Sequence, residues 1–461
     1  MANSSQDELL NLTGTGLAIF EDGVAAGVSF SAILHINGRL EGHIVFPAEF
    51  ASDFASLQTS SLAYFDIEGT ADLRGTGRPI VIRRCVLIRT QFSLSATVEL
   101  AGDFICQEAV LNERLLDEKP SRRLFIVFEL ANVARTFRVT VNTSLGELTL
   151  RHSDRIEELE RRMNTFMSPL VTSSATLVVV PNDQTRGQIL AEATAIIERF
   201  LKITSLAQGR WHTWVAVSVY EASEAGEGGE LRYLAVRHPK LLAASGRALT
   251  NTAHSSLFIR NAWEGYSPTL ARKYGYDLAL EWFISANGPQ LLESKFLSAT
   301  TCLELLMDKY SREAKSESLL PRSDFASLRR DLKGKLDSWA RKKRLESRTL
   351  ASIEAKLAEL NRRSYAEKAE ELLFFWKLRH DDLGVTISQI VSIRNKITHT
   401  GNAVDSGSYD ALLAAYNAIM TLLSRILLAI IDYNGQYYDW VRNEFVNFSA
   451  VRTSSDALSR N

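Results

Sequence analysis

The sequence predicts an α+β protein in which a β-rich N-terminal region, sandwich- or barrel-like, is followed by a C-terminal all-α helical bundle. Short strand-like runs separated by turn residues predict the first part, from about residue 14 to 181. Apolar residues at helical spacing predict the second part, from about residue 287. The 461 residues exceed the size at which a single core stops growing, so we expect several domains. Their predicted ranges are a β-rich domain at 1–181, a mixed α/β segment at 182–286 that completes it or stands alone, a bundle at 287–445 and a flexible tail at 446–461.

The clearest strand signals lie at 32–36 and 40–46, which flank Asn37-Gly38. Asn and Gly accept positive φ, so this pair predicts a tight hairpin. A charged stretch at 154–167 is predicted to be helical and interrupts the strands. The other predicted strands are 80–82, 85–88, 92–100, 124–130, 137–141 and 177–180.

The segment from 182 to 286 mixes the two kinds of pattern. Apolar spacing predicts a helix at 188–201, and alternation predicts a strand at 211–220 with a hairpin partner at 231–236. Between these strands, the glycine- and glutamate-rich residues 224–230 predict an exposed loop. The bundle that follows has predicted helices at 291–310, 325–345, 350–360, 366–378, 385–399 and 409–433.

Composition restricts the class of protein and its compartment. The 46% hydrophobic and 23% charged content is that of a soluble globular protein, and the net charge of −1 gives no global attraction to nucleic acid. Three cysteines without CxxC spacing argue for a reducing compartment and against a disulfide or zinc framework. The polar, acidic N-terminus lacks the pattern of a secretory signal.

The stretch 411–431 is long and apolar enough to raise the question of a membrane span. It contains Asn417 and Arg425, and a charge near the middle of a lipid-facing helix is costly. We therefore expect a buried bundle helix, a cytoplasmic protein and no membrane partner.

Residues 394–399 read Arg-Asn-Lys-Ile-Thr-His and give the most definite chemical indication in the chain. In the helix predicted at 385–399, Arg394 falls on an apolar stripe, where a charged residue indicates a partner or a ligand. His399 lies about 140° around an ideal helix from Arg394, so the two side chains do not converge. Either the last turn is distorted or a second copy of the helix completes the site. The stripe consists of Ile387, Ile390, Val391 and Ile397.

This segment, followed by Thr400 and Gly401 at an expected helix end and then by a long apolar helix, resembles the HEPN superfamily. In that superfamily, Arg-polar-x3-His marks metal-independent endoribonucleases. The resemblance covers about 287–445 and includes the opening helix. With the β-rich N-terminal part, the chain is most similar to the ApeA-type anti-phage defence proteins. One departure is Gly401, because HEPN toxins controlled by nucleotidyltransferases carry a Tyr at that position.

The resemblance implies an HEPN-like bundle that forms a homodimer with facing motif helices. It implies an endoribonuclease of prokaryotic antiviral defence that acts by abortive infection, with RNA as substrate. His399 would act as general acid or base, Arg394 would bind the scissile phosphate, and Asn395 would orient the phosphate or the imidazole. The N-terminal region would act as a sensor or restraint, with a phage-derived trigger as its partner. No metal and no cofactor is expected.

Several other residues are candidates for supporting roles. Glu293 or Glu304, on the opening helix, would pair with Arg394, and Glu304 is the candidate supporting residue. The sequence His380-Asp381-Asp382 is either an imidazole–carboxylate pair, a set of metal ligands, or a loop with a helix N-cap. A basic stretch between 329 and 348, which includes Trp339, is either an RNA-contacting face or a solvated helix face. The candidate RNA-binding residues are Arg329, Arg330, Lys333, Arg341, Lys342, Lys343, Arg344 and Lys396.

Two other functions remain open at this point. The chain is alternatively a non-catalytic HEPN module for dimerisation or adaptor binding, or an RNA-binding protein without nuclease activity. P-loop, GxGxxG, GxSxG and HExxH patterns do not occur, so NTPase, Rossmann and common hydrolase interpretations lack support.

Overall fold

A computed structural model of the chain divides it into two compact units, residues 1–263 and 264–461. The predicted α+β class is confirmed, since an antiparallel sheet region comes first and a helical region follows. The residues that the structure describes are 8–21, 23–47, 64–73, 75–94, 98–135, 139–166, 170–223, 229–237, 246–400 and 409–449.

The first strands pair in the order β4-β1-β2-β3-β6-β5, and β5 also pairs with β4, so that the ring of strands closes. Every pairing in this ring is antiparallel, which gives the barrel-like form of the prediction. Alternate side chains such as Leu12, Phe20 and Phe104 are buried in its core. The strands are β1 Glu8–Phe20, β2 Ala25–His35, β3 Leu40–Phe46, β4 Tyr64–Leu73, β5 Thr76–Leu94 and β6 Val98–Ile105.

From β5 the same sheet continues in the order β7-β13-β12-β8-β11-β10-β9. The two strands contributed by the mixed segment, β12 and β13, thus lie between strands of the predicted first domain. The helices of this unit's sequence include α1 Ile156–Phe166 and α2 Arg186–Gln208. The strands are β7 Glu108–Leu111, β8 Leu124–Ala131, β9 Thr140–Asn142, β10 Gly146–His152, β11 Val171–Val179, β12 Thr213–Ala222 and β13 Gly229–Arg237.

The hairpin predicted around Asn37-Gly38 is confirmed: Leu34 pairs with Leu40, and Gly38 has a φ of 77°. The hairpin of β12 and β13 is also confirmed, whereas residues 224–228 of its predicted loop lie outside the described residues. The separate runs at 80–82 and 85–88 are instead parts of the single long strand β5. A register shift against β4 accompanies Arg84, whose φ is 53° and whose N–H donates to Asp66 Oδ1 at 2.7 Å.

The helical region begins near residue 255, about thirty residues before the predicted start, and ends in a hairpin rather than in a helix. Residues 446–449, predicted to open the flexible tail, belong to the last strand, and 450–461 lie outside the described residues. The elements are α3 Ser255–Gly265, α4 Pro268–Lys273, α5 Tyr276–Asn287, α6 Leu292–Ala314, α7 Arg322–Lys343, α8 Ser347–Glu359, α9 Tyr365–Phe375, α10 Ile387–Thr400, α11 Tyr409–Ile430, β14 Asn434–Asp439 and β15 Glu444–Ser449.

Helix α6 is the centre of the bundle and packs against α5, α9, α10 and α11. Among the described residues, α11 is long and apolar enough to cross a membrane, but 83% of its most apolar window is buried within the fold. The prediction of a buried bundle helix at this position is confirmed, and such burial is typical of a core helix in a soluble protein.

Candidate active site

Helix α10 carries the segment 394–399, and two reciprocal hydrogen bonds fix its start. Thr386 Oγ1 accepts from Gln389 N at 3.2 Å, and Gln389 Oε1 accepts from Thr386 N at 2.7 Å. This capping box satisfies N–H groups that the first turn would otherwise leave unpaired. The predicted apolar stripe is confirmed, since Ile387, Ile390 and Ile397 are buried against the bundle. The stripe determines which side of α10 carries Arg394.

Arg394 lies at the edge of this buried stripe and forms an ion pair with Glu304 of α6. Arg394 Nη2 donates to Glu304 Oε1 at 2.5 Å, and Nη1 donates to Asn395 Oδ1 at 3.2 Å. The exposed fractions of the two paired side chains are 32% and 34%. The structure therefore selects Glu304, rather than Glu293, as the carboxylate that contacts Arg394. The guanidinium is fixed on one side and accessible to solvent on the other.

Tyr365, at the start of α9, is a third group near this ion pair and was not predicted from the sequence. Burial is the main cause that raises the pKa of Tyr365, the Glu304 carboxylate raises it further, and Arg394 opposes that rise. The phenol therefore stays protonated at neutral pH, with its O–H directed to the carbonyl oxygen of Thr300 at 3.4 Å. Ser364 and Glu367 form a capping box that fixes this residue, and the spacing Ser-x-x-Glu is the signal that reveals the helix start.

The other polar residues of the segment are turned toward solvent. Asn395, Lys396 and His399 are all exposed, and Thr398 Oγ1 donates back to the carbonyl oxygen of Arg394 at 2.9 Å. No hydrogen bond within the described part of the chain links Arg394 to His399. Because α10 is a continuous α-helix from Ile387 to Thr400, the angular offset of an ideal helix applies to these two residues. Gly401, the expected helix end, lies outside the described residues.

The arrangement has the groups needed for chemistry on a phosphodiester. A guanidinium that is held on one side can donate its remaining N–H groups to phosphate oxygens. An exposed imidazole can transfer protons near neutral pH, and an exposed amide can donate to or accept from a ligand. One copy of α10 supplies each group once, and within the described residues no hydrogen bond joins its imidazole to its guanidinium.

The predicted RNA-binding residues other than Lys396 lie on α7 or at its end. Two of them line a groove, and the others do not. Arg330 and Lys342 line a shallow groove along one face of the helix, together with Asp331, Gly334, Lys335, Ser338 and Trp339. Lys333 is instead engaged with Glu354 of α8 at 3.2 Å, and Arg344 ends the helix with a φ of 54°. The remaining members of the stretch, Arg329, Arg341 and Lys343, are exposed elsewhere on α7.

The interpretation of residues 380–382 as an imidazole–carboxylate pair is wrong. Asp382 accepts two hydrogen bonds from Arg425 of α11, at 2.8 and 2.9 Å. Asp381 pairs with Arg379 at 2.7 Å, and within the described residues no hydrogen bond joins His380 to either carboxylate. Asp382 therefore joins the connection before α10 to α11, whereas Asp381 forms an exposed surface ion pair.

Comparison with known proteins gives one match, which covers the helical part of the chain. Residues 273–450 match the family model described as the YopA C-terminal domain, a range that contains Arg394, Glu304 and the α7 groove. No curated protein and no solved structure matches the chain. The C-terminal part of the protein is thus similar to the YopA C-terminal domain.

Proposed function

We propose that this protein is a metal-independent endoribonuclease of the HEPN type that acts in prokaryotic antiviral defence. The observation that carries the proposal is the ion pair of Arg394 with Glu304, which holds a solvent-accessible guanidinium on the same helix as the exposed Asn395 and His399. A surface arginine without such a holder would need to lose much side-chain entropy on binding a phosphate. This one is already oriented.

In the proposed reaction, the 2′-OH of a ribose attacks the adjacent phosphorus and the bond from phosphorus to the 5′-oxygen breaks. A base removes the proton of the 2′-OH and an acid protonates the departing 5′-oxygen, so the products are a 2′,3′-cyclic phosphate and a 5′-OH. Arg394 donates to the non-bridging oxygens, on which negative charge increases in the transition state. Asn395 orients the phosphate.

Two proton transfers need two titratable groups, and one copy of α10 carries a single His399. We therefore propose a homodimer in which two copies of α10 face each other. The imidazole of one protomer then lies opposite the guanidinium of its partner, which removes the difficulty of the angular offset. The helix need not be distorted, because each protomer supplies half of the groups.

Control of the ribonuclease falls to the N-terminal part of the chain. A ribonuclease that attacks cellular RNA needs restraint, and the β-rich part of the chain offers a means of sensing a phage-derived trigger. Burial of α11 in the bundle supports a cytoplasmic enzyme without a membrane anchor.

The test uses the full-length purified protein and a mixture of single-stranded RNAs, with and without lysate from phage-infected cells. We expect cleavage that persists in EDTA and yields cyclic-phosphate ends. His399→Ala and Arg394→Ala should each lower the cleavage rate by at least about 100-fold, the usual scale for general acid–base and charge-stabilising groups. His380→Ala, which removes another exposed histidine of the same unit, is the matched control and should cleave normally. Unchanged cleavage by the first two variants would exclude the proposed site.

The composite arrangement has its own test, in which Arg394→Ala and His399→Ala protomers are combined in one cell. A heterodimer of these variants retains the imidazole of one protomer opposite the guanidinium of its partner. It should therefore cleave RNA faster than either variant homodimer, and more slowly than the wild type because one of the two proton-transfer groups is absent. If the wild type cleaves no RNA under any trigger and the only defect of the two variants is in dimerisation, the result supports the non-catalytic dimerisation or adaptor function instead.

A further inference from the structure

We infer that the groove on α7 is a docking surface for single-stranded RNA, in which Trp339 stacks on a base while Arg330, Lys335 and Lys342 contact phosphates. This inference deepens the proposed function and rests on it for the choice of RNA among polyanions. It adds a substrate class, and it assigns binding to a surface separate from the residues that carry the chemistry.

The first observation is the charge of the helix. Between Arg322 and Lys343, α7 has eight basic and three acidic residues, in a chain whose net charge is −1. Only Ala340 is buried among its 22 residues, so these charges face solvent. The excess of positive charge is therefore a local feature that the overall composition conceals, and it supplies the electrostatic attraction that a polyanion needs.

The second observation is that the groove's cations are not neutralised by the protein itself. Lys333, on another side of α7, pairs with Glu354, and Arg341 donates to the carbonyl oxygen of Asp337. Within the described residues, Arg330, Lys335 and Lys342 form no ion pair with an acidic side chain. The groove does include Asp331, which reduces its charge at one end but leaves the Lys335–Lys342 end basic.

The third observation is the indole of Trp339, which lines the same groove and is 49% exposed. An exposed tryptophan costs free energy in water, because its large apolar area remains hydrated. Stacking on a nucleic acid base covers that area and does not depend strongly on base identity. The cations and the indole thus match the two parts of a nucleotide, its phosphate and its base.

The combination favours a single strand over a duplex or a membrane. A duplex keeps its bases stacked on one another, so it offers no free base to the Trp339 ring. A membrane-binding helix needs a continuous apolar face, whereas Trp339 lies among Arg330, Gly334, Lys335, Ser338 and Lys342 on this side of α7. The groove extends from Arg330 to Lys342, about 18 Å along the helix, which suits a few nucleotides.

The experiment measures binding of a fluorescent single-stranded oligouridylate of about 12 nucleotides to the full-length chain, a length that spans one such site. Every protein carries His399→Ala, so that the probe is not cut during the measurement. Trp339→Ala should weaken binding roughly 5- to 100-fold, the range expected for the loss of one stacked base. Trp339→Phe should restore part of the affinity and shows that the helix has not unfolded.

Charge and specificity are tested in the same assay. Lys342→Glu should weaken binding and reduce the slope of log affinity against log salt by about 0.7, as expected for one lost phosphate contact on a single strand. Two matched controls lie outside the groove: Phe374→Ala removes an aromatic ring that is 86% exposed on α9, and Lys356→Glu reverses an exposed charge on α8. Both should bind like the parent.

Several outcomes would overturn the docking surface. These are undiminished binding by Trp339→Ala, equal losses in the controls, tighter binding to duplex RNA, or binding to vesicles of phosphatidylserine and phosphatidylcholine in place of RNA. A different outcome would contradict the proposed nuclease. If the protein binds RNA through Trp339 but never cuts it, the docking surface stands and the nuclease proposal is wrong. A nuclease that cuts normally without Trp339 gives the converse result.

Discussion

Arg394 and Arg425 both lie on apolar helices of the unit formed by residues 264–461, and their surroundings differ in kind. The Arg425 side chain is 8% exposed and donates to two carboxylates, Asp382 and Asp439, at 2.8 to 3.0 Å. It also donates to the phenol oxygen of Tyr437 at 2.8 Å and to the carbonyl oxygen of Arg379 at 2.6 Å. Its hydrogen-bonding capacity is used within the fold.

Among the described residues, Arg394 has a single carboxylate partner, and its side chain is four times as exposed as that of Arg425. Its partner Glu304 is likewise accessible, whereas Asp439 at the Arg425 site is 1% exposed. The difference indicates that an arginine on an apolar helix can have either of two distinct roles. Arg425 belongs to a closed network that stabilises the fold, and Arg394 belongs to an open pair that can receive an anionic ligand.

The same substitution at both positions should have the largest difference in effect on stability. Arg425→Met leaves the buried Asp439 without its cation and leaves Asp382 with only the exposed Arg442, at 3.3 Å, which should lower the free energy of unfolding of the helical unit by about 3–5 kcal/mol. Arg394→Met should lower it by less than about 1 kcal/mol, because solvent screens an exposed pair. Urea denaturation followed by far-UV circular dichroism measures both. Equal destabilisation by the two variants would show that Arg394 is as structural as Arg425.

The distinction between the two arginines could be only partly predicted from the sequence. The apolar stripe of α10 was predictable because the spacing of isoleucines is a local property, and it placed Arg394 on a buried side. The partners were not local: Glu304 lies 90 residues before Arg394, and Asp382 lies 43 residues before Arg425. Glu304 is identifiable as a candidate because it is an acidic residue on the opening helix, whereas the local sequence around Asp382 indicates only an imidazole–carboxylate pair, metal ligands or a helix cap.

The fold, too, could be predicted from the sequence only where the signal is local. Hairpins with a strong turn signal were predicted, since Asn37-Gly38 determines a conformation by itself. Strands β1 and β4 are not among the predicted strands, and both contain glycines, which are rare in strands. In the barrel these glycines allow close approach of two backbones: a Cβ on Gly16 would lie 2.4 Å from the carbonyl oxygen of Glu68, and one on Gly69 would lie 2.2 Å from that of Thr15. The requirement arises from pairing between distant strands, so no local pattern reveals it.

Low pH should weaken the closed network around Arg425, because the network depends on ionised carboxylates. The hydrogen bonds from Arg425 are the main cause that lowers the pKa of Asp382 below its ordinary value of 3.8, although burial opposes them. A carboxyl with a lowered pKa stabilises the fold fully above about pH 4, and this contribution is lost as the pH falls further. Asp382→Asn should therefore destabilise the helical unit by roughly 1–3 kcal/mol at pH 7, as for a buried hydrogen-bonded charge that loses its ionic partner.

The same variant should make stability less dependent on pH below about 4, because the carboxyl group that titrates there is absent. Urea denaturation at several pH values measures this slope. Asp381→Asn, at the neighbouring exposed carboxylate paired with Arg379, is the matched control and should change stability little. An unaltered pH slope in Asp382→Asn would mean that the Arg425 network does not govern acid unfolding.

The smallest expected change in stability is that of Glu304→Gln, and it tests whether the open pair serves a function. The amide keeps a hydrogen bond to Arg394 but loses the charge, so the free energy of unfolding should fall by less than about 1 kcal/mol. If Glu304 positions Arg394 for a phosphate, the rate of RNA cleavage under saturating enzyme should nevertheless fall, by roughly tenfold for a misplaced charge-stabilising group.

Two further readouts separate positioning from a merely structural role. A positioning residue lowers the cleavage rate by a similar factor at every pH and leaves the shape of the pH profile unchanged, because the proton-transfer groups are intact. Glu293→Gln, on the same helix α6, removes a carboxylate that does not contact Arg394 and should leave the cleavage rate unaltered. If both variants cleave like the wild type, the pair is an ordinary surface ion pair. If Glu304→Gln instead unfolds the unit as strongly as Arg425→Met, the pair belongs with the closed network, and the contrast between the two arginines disappears.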